Sequence, residues 1–232
     1  MPYAPTSDED PLTLTLSLRG RGEGKGRPIK KMLRAFIAIQ LSDEMKRQIG
    51  SVQAELKREV SGSGRGGKAV KIGWTQPEGI HLTLKFLGDI QETQVEALRE
   101  ILHRVAAPAR PFTLEARGLG AFPNPRAPRV IWLGLHGSND DMAELQRLQV
   151  AVEDGVAGLG FPKEARAFTP HLTLARIRDR VEAGALEPVL TAQQNRAVGK
   201  FAASSVELIK SELRPSGAVY TTLVEVPFGA GV

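Results

Sequence analysis

The sequence predicts an α+β protein with antiparallel sheets, arranged as two related lobes. Three observations carry this. Strand-like apolar runs are interspersed with segments of helical period and with hairpin signals. SVELIKSEL and AVYTTLVEV flank Pro215, Ser216 and Gly217, a hairpin signature late in the chain. The tetrapeptide HLTL occurs at His81–Leu84 and again 90 residues later at His171–Leu174, in a chain with only four histidines. With Leu near a tenth and Thr near a twentieth of residues, such a match arises by accident on the order of once in a few hundred sequences.

Residues 1 to 31 read as a disordered N-terminal extension. TSDEDP and LTLTLSL are followed by RGRGEGKGRPIKK, whose glycines and charges disfavour packing. The Arg/Gly run has two readings: an RNA-contacting tail, or a solvated extension ahead of a start at Met32. Short basic runs are ordinarily solvated, which favours the second. LRAFIAIQL then reads as a buried strand, and Ser42 caps a helix with Met45, Ile49, Val52 and Leu56 at helical spacing. SGSGRGG at 61–67 is a loop. A strand at Val70 to Trp74 and a turn at Pro77 to Gly79 precede the first HLTL strand, Ile80 to Leu87. A helix is expected at Glu92 to Val105, a strand at Phe112 to Ala116, a Gly/Pro loop at GLGAFPNPRAP, and a strand at Arg129 to Leu135. The pattern then recurs: a helix at Asp140 to Leu159, a turn at Gly160 to Pro162, the second HLTL strand, a short helical segment at Val181 to Leu190, and the closing hairpin.

Composition narrows the chemistry. At 232 residues and 41% hydrophobic content, the chain can bury a sizeable core. The absence of cysteine removes disulfides, thiol nucleophiles and cysteine-ligated zinc, and fits a reducing compartment. A net charge of +5 and a pI near 9.6 favour anionic partners such as nucleic acid. No run approaches the ~18 apolar residues of a membrane span, and no signal peptide is evident. A soluble, cytoplasmic protein without a membrane partner is expected.

On a strand, alternate side chains share a face, so His81 and Thr83 project together while Leu82 and Leu84 anchor the other side. His171 and Thr173 follow the same rule. If the two strands meet across a cleft, two imidazoles and two hydroxyls converge. One neutral imidazole can take a proton from water while a cationic one protonates a departing ribose oxygen. The hydroxyls can stabilise charge on the non-bridging phosphate oxygens. A lone His-x-Thr is ordinary strand patterning; the repeat is what favours catalysis. Two histidines without clustered carboxylates leave a zinc site incomplete, so neither metal nor cofactor is expected. His103 and His136 lack the threonine and read as structural or solvent-facing.

PEGIHLTLKFLGD and FTPHLTLARIR resemble the paired His-x-Thr-x motifs of the two-histidine phosphoesterase superfamily. Within it, the chain is similar to the bacterial and archaeal RNA 2′,3′-cyclic phosphodiesterases once called 2′-5′ RNA ligases. MLRAFIAIQL, GLGAFPNPRAPRVIWLGL and SELRPSGAVYTTL extend the likeness over Met32 to Phe228. The resemblance implies a bilobal domain over 32–228, with two antiparallel sheets facing across a central groove, helices outside, and one motif per lobe. It implies hydrolysis of RNA-terminal 2′,3′-cyclic phosphate to a 2′-phosphomonoester, with His81 as proton donor, His171 as proton acceptor, and Thr83 and Thr173 binding phosphate. The implied partners are RNA ends, tRNA fragments among them, and a monomer is expected.

Arg176 matches a family arginine associated with the phosphate, although simple alternation puts it on the face opposite His171. Alternation puts Lys85 on the groove face, where it can bind substrate or stand as an edge charge. Phe86 and Phe168 can stack on bases or belong to the core. Arg126 and Arg129 border a proline-rich loop, where they can touch RNA backbone or stand as exposed charges with no role. Rival functions are 2′-5′ ligation of tRNA halves, hydrolysis of another small cyclic nucleotide, and an RNA-binding module without turnover.

Overall fold

The computed structural model describes residues 31–61, 71–178, 184–214 and 217–229. The N-terminal extension up to residue 30, most of the SGSGRGG loop, Val70, the first part of the expected 181–190 helix and the hairpin tip at 215–216 lie outside the described residues.

Among the described residues, nine strands and four helices follow in the order β1 Met32–Gln40, α1 Asp43–Glu59, β2 Ile72–Trp74, β3 His81–Gln91, α2 Val95–Ala106, β4 Phe112–Phe122, β5 Val130–His136, α3 Asn139–Ala157, β6 His171–Ile177, α4 Glu187–Ala192, β7 Ala197–Ala203, β8 Ser205–Arg214 and β9 Gly217–Pro227. The Ser42 hydroxyl accepts the Met45 amide hydrogen at 3.2 Å, with Asp43 and Glu44 in the first turn and Lys57 and Arg58 in the last. Both ends of α1 therefore complement the helix dipole. Met45, Ile49, Val52 and Leu56 form its buried stripe, as their spacing requires. Ser138 caps α3 in the same way, accepting from the Asp141 amide.

Every strand pairing is antiparallel, in the order β7-β4-β5-β6-β3-β1-β8-β9, with β2 also on β6. The expected two sheets are thus the halves of one curled sheet, joined at the single pair Leu82–Leu172. Both leucines are fully buried, each contributing about 1.5–3 kcal/mol at the junction. The lobes are not the two halves of the chain. Strands β1, β3, β8 and β9 form the first, and β2, β4, β5, β6 and β7 form the second.

The helices cover one face of this sheet, over the core that contains Ile37, Ile39, Leu84, Leu133 and Leu174. On the other face, Phe36, Ala38 and Ile209 form a small separate cluster with Tyr220 against it. That second face lines the groove.

Each motif strand carries a bulge at its second leucine. Thr83 pairs with Ala38 but Lys85 pairs with Ile37, so Leu84 is the extra residue. Thr173 pairs with Trp132 but Ala175 pairs with Ile131, so Leu174 is its counterpart. One inserted residue reverses the faces of everything after it.

Candidate active site

His81 opens β3, directly after a 3₁₀ turn at Pro77–Gly79. His171 opens β6. The Nδ1 of His81 lies 2.8 Å from the Gly79 carbonyl oxygen, and that of His171 lies 2.7 Å from the Thr169 carbonyl oxygen. A carbonyl only accepts, so in both rings Nδ1 carries the hydrogen and Nε2 keeps its lone pair when neutral. The two motifs therefore repeat the tautomer as well as the sequence, each through the carbonyl two residues before its histidine.

The junction supplies the convergence. With Leu82 opposite Leu172 in an antiparallel pair, the register sets His81 across from Thr173 and Thr83 across from His171. Diagonal neighbours in such a pair are about 7–8 Å apart, which leaves room for a phosphate between the imidazoles. Both histidines and both threonines are partly exposed, whereas the leucines between them are buried.

Aromatic rings hold both imidazoles. Phe36 stacks on His81 with centroids 4.4 Å apart and planes 21° apart, and Tyr220 meets it edge-on at 5.2 Å. A Cβ at Gly79 would stand 2.8 Å from the Tyr220 ring, so the residue that supplies the carbonyl must lack a side chain for that ring to pack. Phe122 meets His171 edge-on at 5.1 Å. The Trp132 ring occupies the space that a Cβ at Gly120 would need, 2.2 Å from the ring. None of Phe36, Tyr220, Phe122 and Trp132 stands out as a site residue in the sequence; an aromatic in a strand pattern reads as core, and Phe122 falls in the expected Gly/Pro loop.

Burial lowers the His81 pKa from 6.5 to about 4; the Gly79 carbonyl opposes this and the Lys46 charge adds to it. His171 is lowered too, by burial first, with the Thr169 carbonyl opposing and Arg176 adding. At neutral pH the neutral form of each ring is the favoured one.

The bulges correct two face assignments. Gly134, Trp132 and Val130 alternate along β5 and pair with His171, Thr173 and Arg176, so all three site residues share a face. Arg176 thus lies on the same face as His171 and Thr173, and its charge reaches His171. Lys85 goes the other way. It is 6% exposed and its ammonium donates to Glu153 at 2.7 Å and to the Pro162 carbonyl at 2.6 Å. The bulge turns it towards α3, and although it borders the same cavity as Thr83 and His171, its ammonium is engaged by these two contacts. Phe86 takes the groove face instead, 64% exposed and 6.1 Å from Phe36.

A cavity of about 650 Å³ extends from Thr83, His171, Thr173 and Arg176 into the second lobe, and Phe86, Phe168, Arg129 and Arg166 also line it. His81 is not among its lining residues. Phe168 packs on the core and also lines the cavity. Arg126 does not line it; its guanidinium pairs with Glu187 at 3.3 Å. Arg166 carried no sequence signal, since one arginine in a coil segment looks like any solvated charge. His103 and His136 are exposed, as expected of solvent-facing histidines. Among the described residues, no three His, Asp or Glu converge as metal ligands, and no helix is long and apolar enough to cross a membrane.

Two His-x-Thr strands, joined antiparallel at the residue between histidine and threonine and set in one curled sheet, define a two-histidine phosphoesterase. The chain belongs to the LigT-like phosphoesterase family, whose pattern matches residues 39–132 and 138–220. An RNA 2′,3′-cyclic phosphodiesterase of Methanothermobacter thermautotrophicus is 31% identical over 191 residues, 82% of this chain and 96% of that protein. One from Aeropyrum pernix is 38% identical over 151 residues, 65% of this chain and 83% of its own. The crystal structure of Escherichia coli LigT with 3′-AMP superposes with a TM-score of 0.63 at 26% identity, covering 85% of this chain and 99% of that one.

Proposed function

We propose that this protein hydrolyses the 2′,3′-cyclic phosphate at an RNA end to a 2′-phosphomonoester without a metal ion. The observation that carries the reading is the Leu82–Leu172 pair, because it sets both His-x-Thr motifs on one face with their Nε2 atoms available to substrate. Relatives of this chain are RNA 2′,3′-cyclic phosphodiesterases, and an Escherichia coli neighbour binds 3′-AMP.

In this mechanism the cyclic phosphate lies between the two rings. Neutral His171 removes a proton from water as its oxygen bonds to phosphorus. The bond from phosphorus to O3′ breaks, and cationic His81 delivers its Nε2 proton to O3′. The 2′ ester remains. Thr83, Thr173 and the Arg176 guanidinium stabilise the charge on the non-bridging oxygens. Phe86 and Phe168 offer apolar surface to the terminal nucleoside.

His81 must be protonated in this scheme although its burial favours the neutral ring. A bound phosphate anion supplies the opposite charge that raises an imidazole pKa. Product analysis on an oligonucleotide ending in 2′,3′-cyclic phosphate tests the reading. A 2′-phosphate product is expected; a 3′-phosphate, or binding with no turnover, would overturn it.

A further inference from the structure

We infer that Arg129 and Arg166, which line the same cavity as Thr83, His171, Thr173 and Arg176, form a subsite for the internucleotide phosphate next to the cyclic end, so that oligonucleotides are preferred over cyclic mononucleotides. The inference rests on the reading above and names the substrate class within it.

A single cyclic phosphate is served by two histidines, two threonines and Arg176, yet the cavity continues past them to two more guanidinium groups. Of the two carboxylates that line it, Glu153 is neutralised by Lys85, leaving Glu164 against three arginines. Among the described residues, no carboxylate lies within ion-pairing distance of Arg129, Arg166 or Arg176. Cations gathered in a concave site without a protein partner attract an anion.

Each bulge presents one side chain to the groove, Phe86 from the first lobe and Arg176 from the second.

The backbone at both arginines is held. The Arg129 amide donates to the Phe122 carbonyl at 2.7 Å, and its carbonyl accepts from the Ile177 amide at 2.8 Å. The segment leading to Arg166 is tied down where the Glu164 amide donates to Glu153 at 3.2 Å and the Pro162 carbonyl accepts from Lys85. Guanidinium groups on fixed backbone suit recognition of phosphate oxygens.

The test compares kcat/KM for a dinucleotide ending in 2′,3′-cyclic phosphate with that for the cyclic mononucleotide of the same base. One charge-assisted contact predicts a wild-type preference of about tenfold or more for the dinucleotide. Arg129→Gln and Arg166→Gln each reduce that ratio, and the double variant brings it within about threefold of unity. The dinucleotide preference also falls with salt, with an added log-log slope of about 0.7 for the extra phosphate. A wild-type ratio near one, or a ratio untouched by the double variant, overturns the subsite. Should neither substrate be turned over, the proposed activity fails on its own. The subsite is then decided by the Kd ratio of a 2′-phosphorylated dinucleotide to 2′-AMP, near ten if it exists and near one if it does not.

Discussion

Replacing His81 by Asn should flatten the acid side of the stability curve. Burial holds the His81 pKa at about 4, against 6.5 for an unhindered imidazole. At 1.36 kcal/mol per unit, this difference of about 2.5 units corresponds to roughly 3 kcal/mol. The sign follows from proton counting. Between pH 6.5 and 4 the unfolded chain holds the proton and the folded protein does not, so stability falls as pH falls. The contribution is fully present above 6.5 and is used up near 4. Carboxylates titrate in part of the same window, so wild type and His81→Asn should be compared by urea unfolding at each pH. Between pH 7 and 4 the wild type should lose about 3 kcal/mol more than the variant. A stability difference that stays constant over this range, or a His81 ring that titrates near 6.5 by NMR, would refute the reasoning. Adding 2′-AMP should move the midpoint upward, because the anion favours the protonated ring.

The same lowered values predict a bell-shaped kcat/KM profile whose optimum lies below pH 6.5, since one imidazole must be charged and the other neutral in the free enzyme; an optimum at pH 8 would contradict it. His81→Ala and His171→Ala should each lower kcat by about 10²–10⁴-fold, with circular dichroism unchanged. Turnover should survive excess EDTA, and a strict divalent-metal requirement would count against the mechanism. Lys85→Met should destabilise the fold by about 3–5 kcal/mol by stranding the Glu153 carboxylate, and adding Glu153→Leu should restore much of the loss. Denaturant midpoints of the single and double variants check this.

The elements with strong periodic signals were legible in the sequence. Helix α3 was expected at Asp140 to Leu159 and spans Asn139–Ala157; the closing hairpin likewise has its expected strands. Strand β7, AVGKFAA, escaped notice because small residues and a glycine give no clear alternation. Strand β4 runs on to Phe122 through glycines that had read as loop. In the site, the histidines and threonines are visible as a repeat, but the faces of Lys85 and Arg176 are not. Period-two reasoning counts residues, and a bulge changes the count without leaving a mark in the letters. Tyr220 and Phe36 reach His81 from strands far along the chain or across the pleat, which no local window connects.

The order in which the strands are laid down differs from the order in which they lie side by side. Every neighbour in the row β4 to β7 is made within residues 112–203, whereas β1 waits for β8 at 205–214 to cover its second edge. As the polypeptide leaves the ribosome, the half bearing His171 can close first. The half bearing His81 stays open-edged until the final hairpin is synthesised, and Tyr220, which braces that imidazole, arrives with it. A nascent chain therefore holds one half of the acid-base pair in place well before it gains the other.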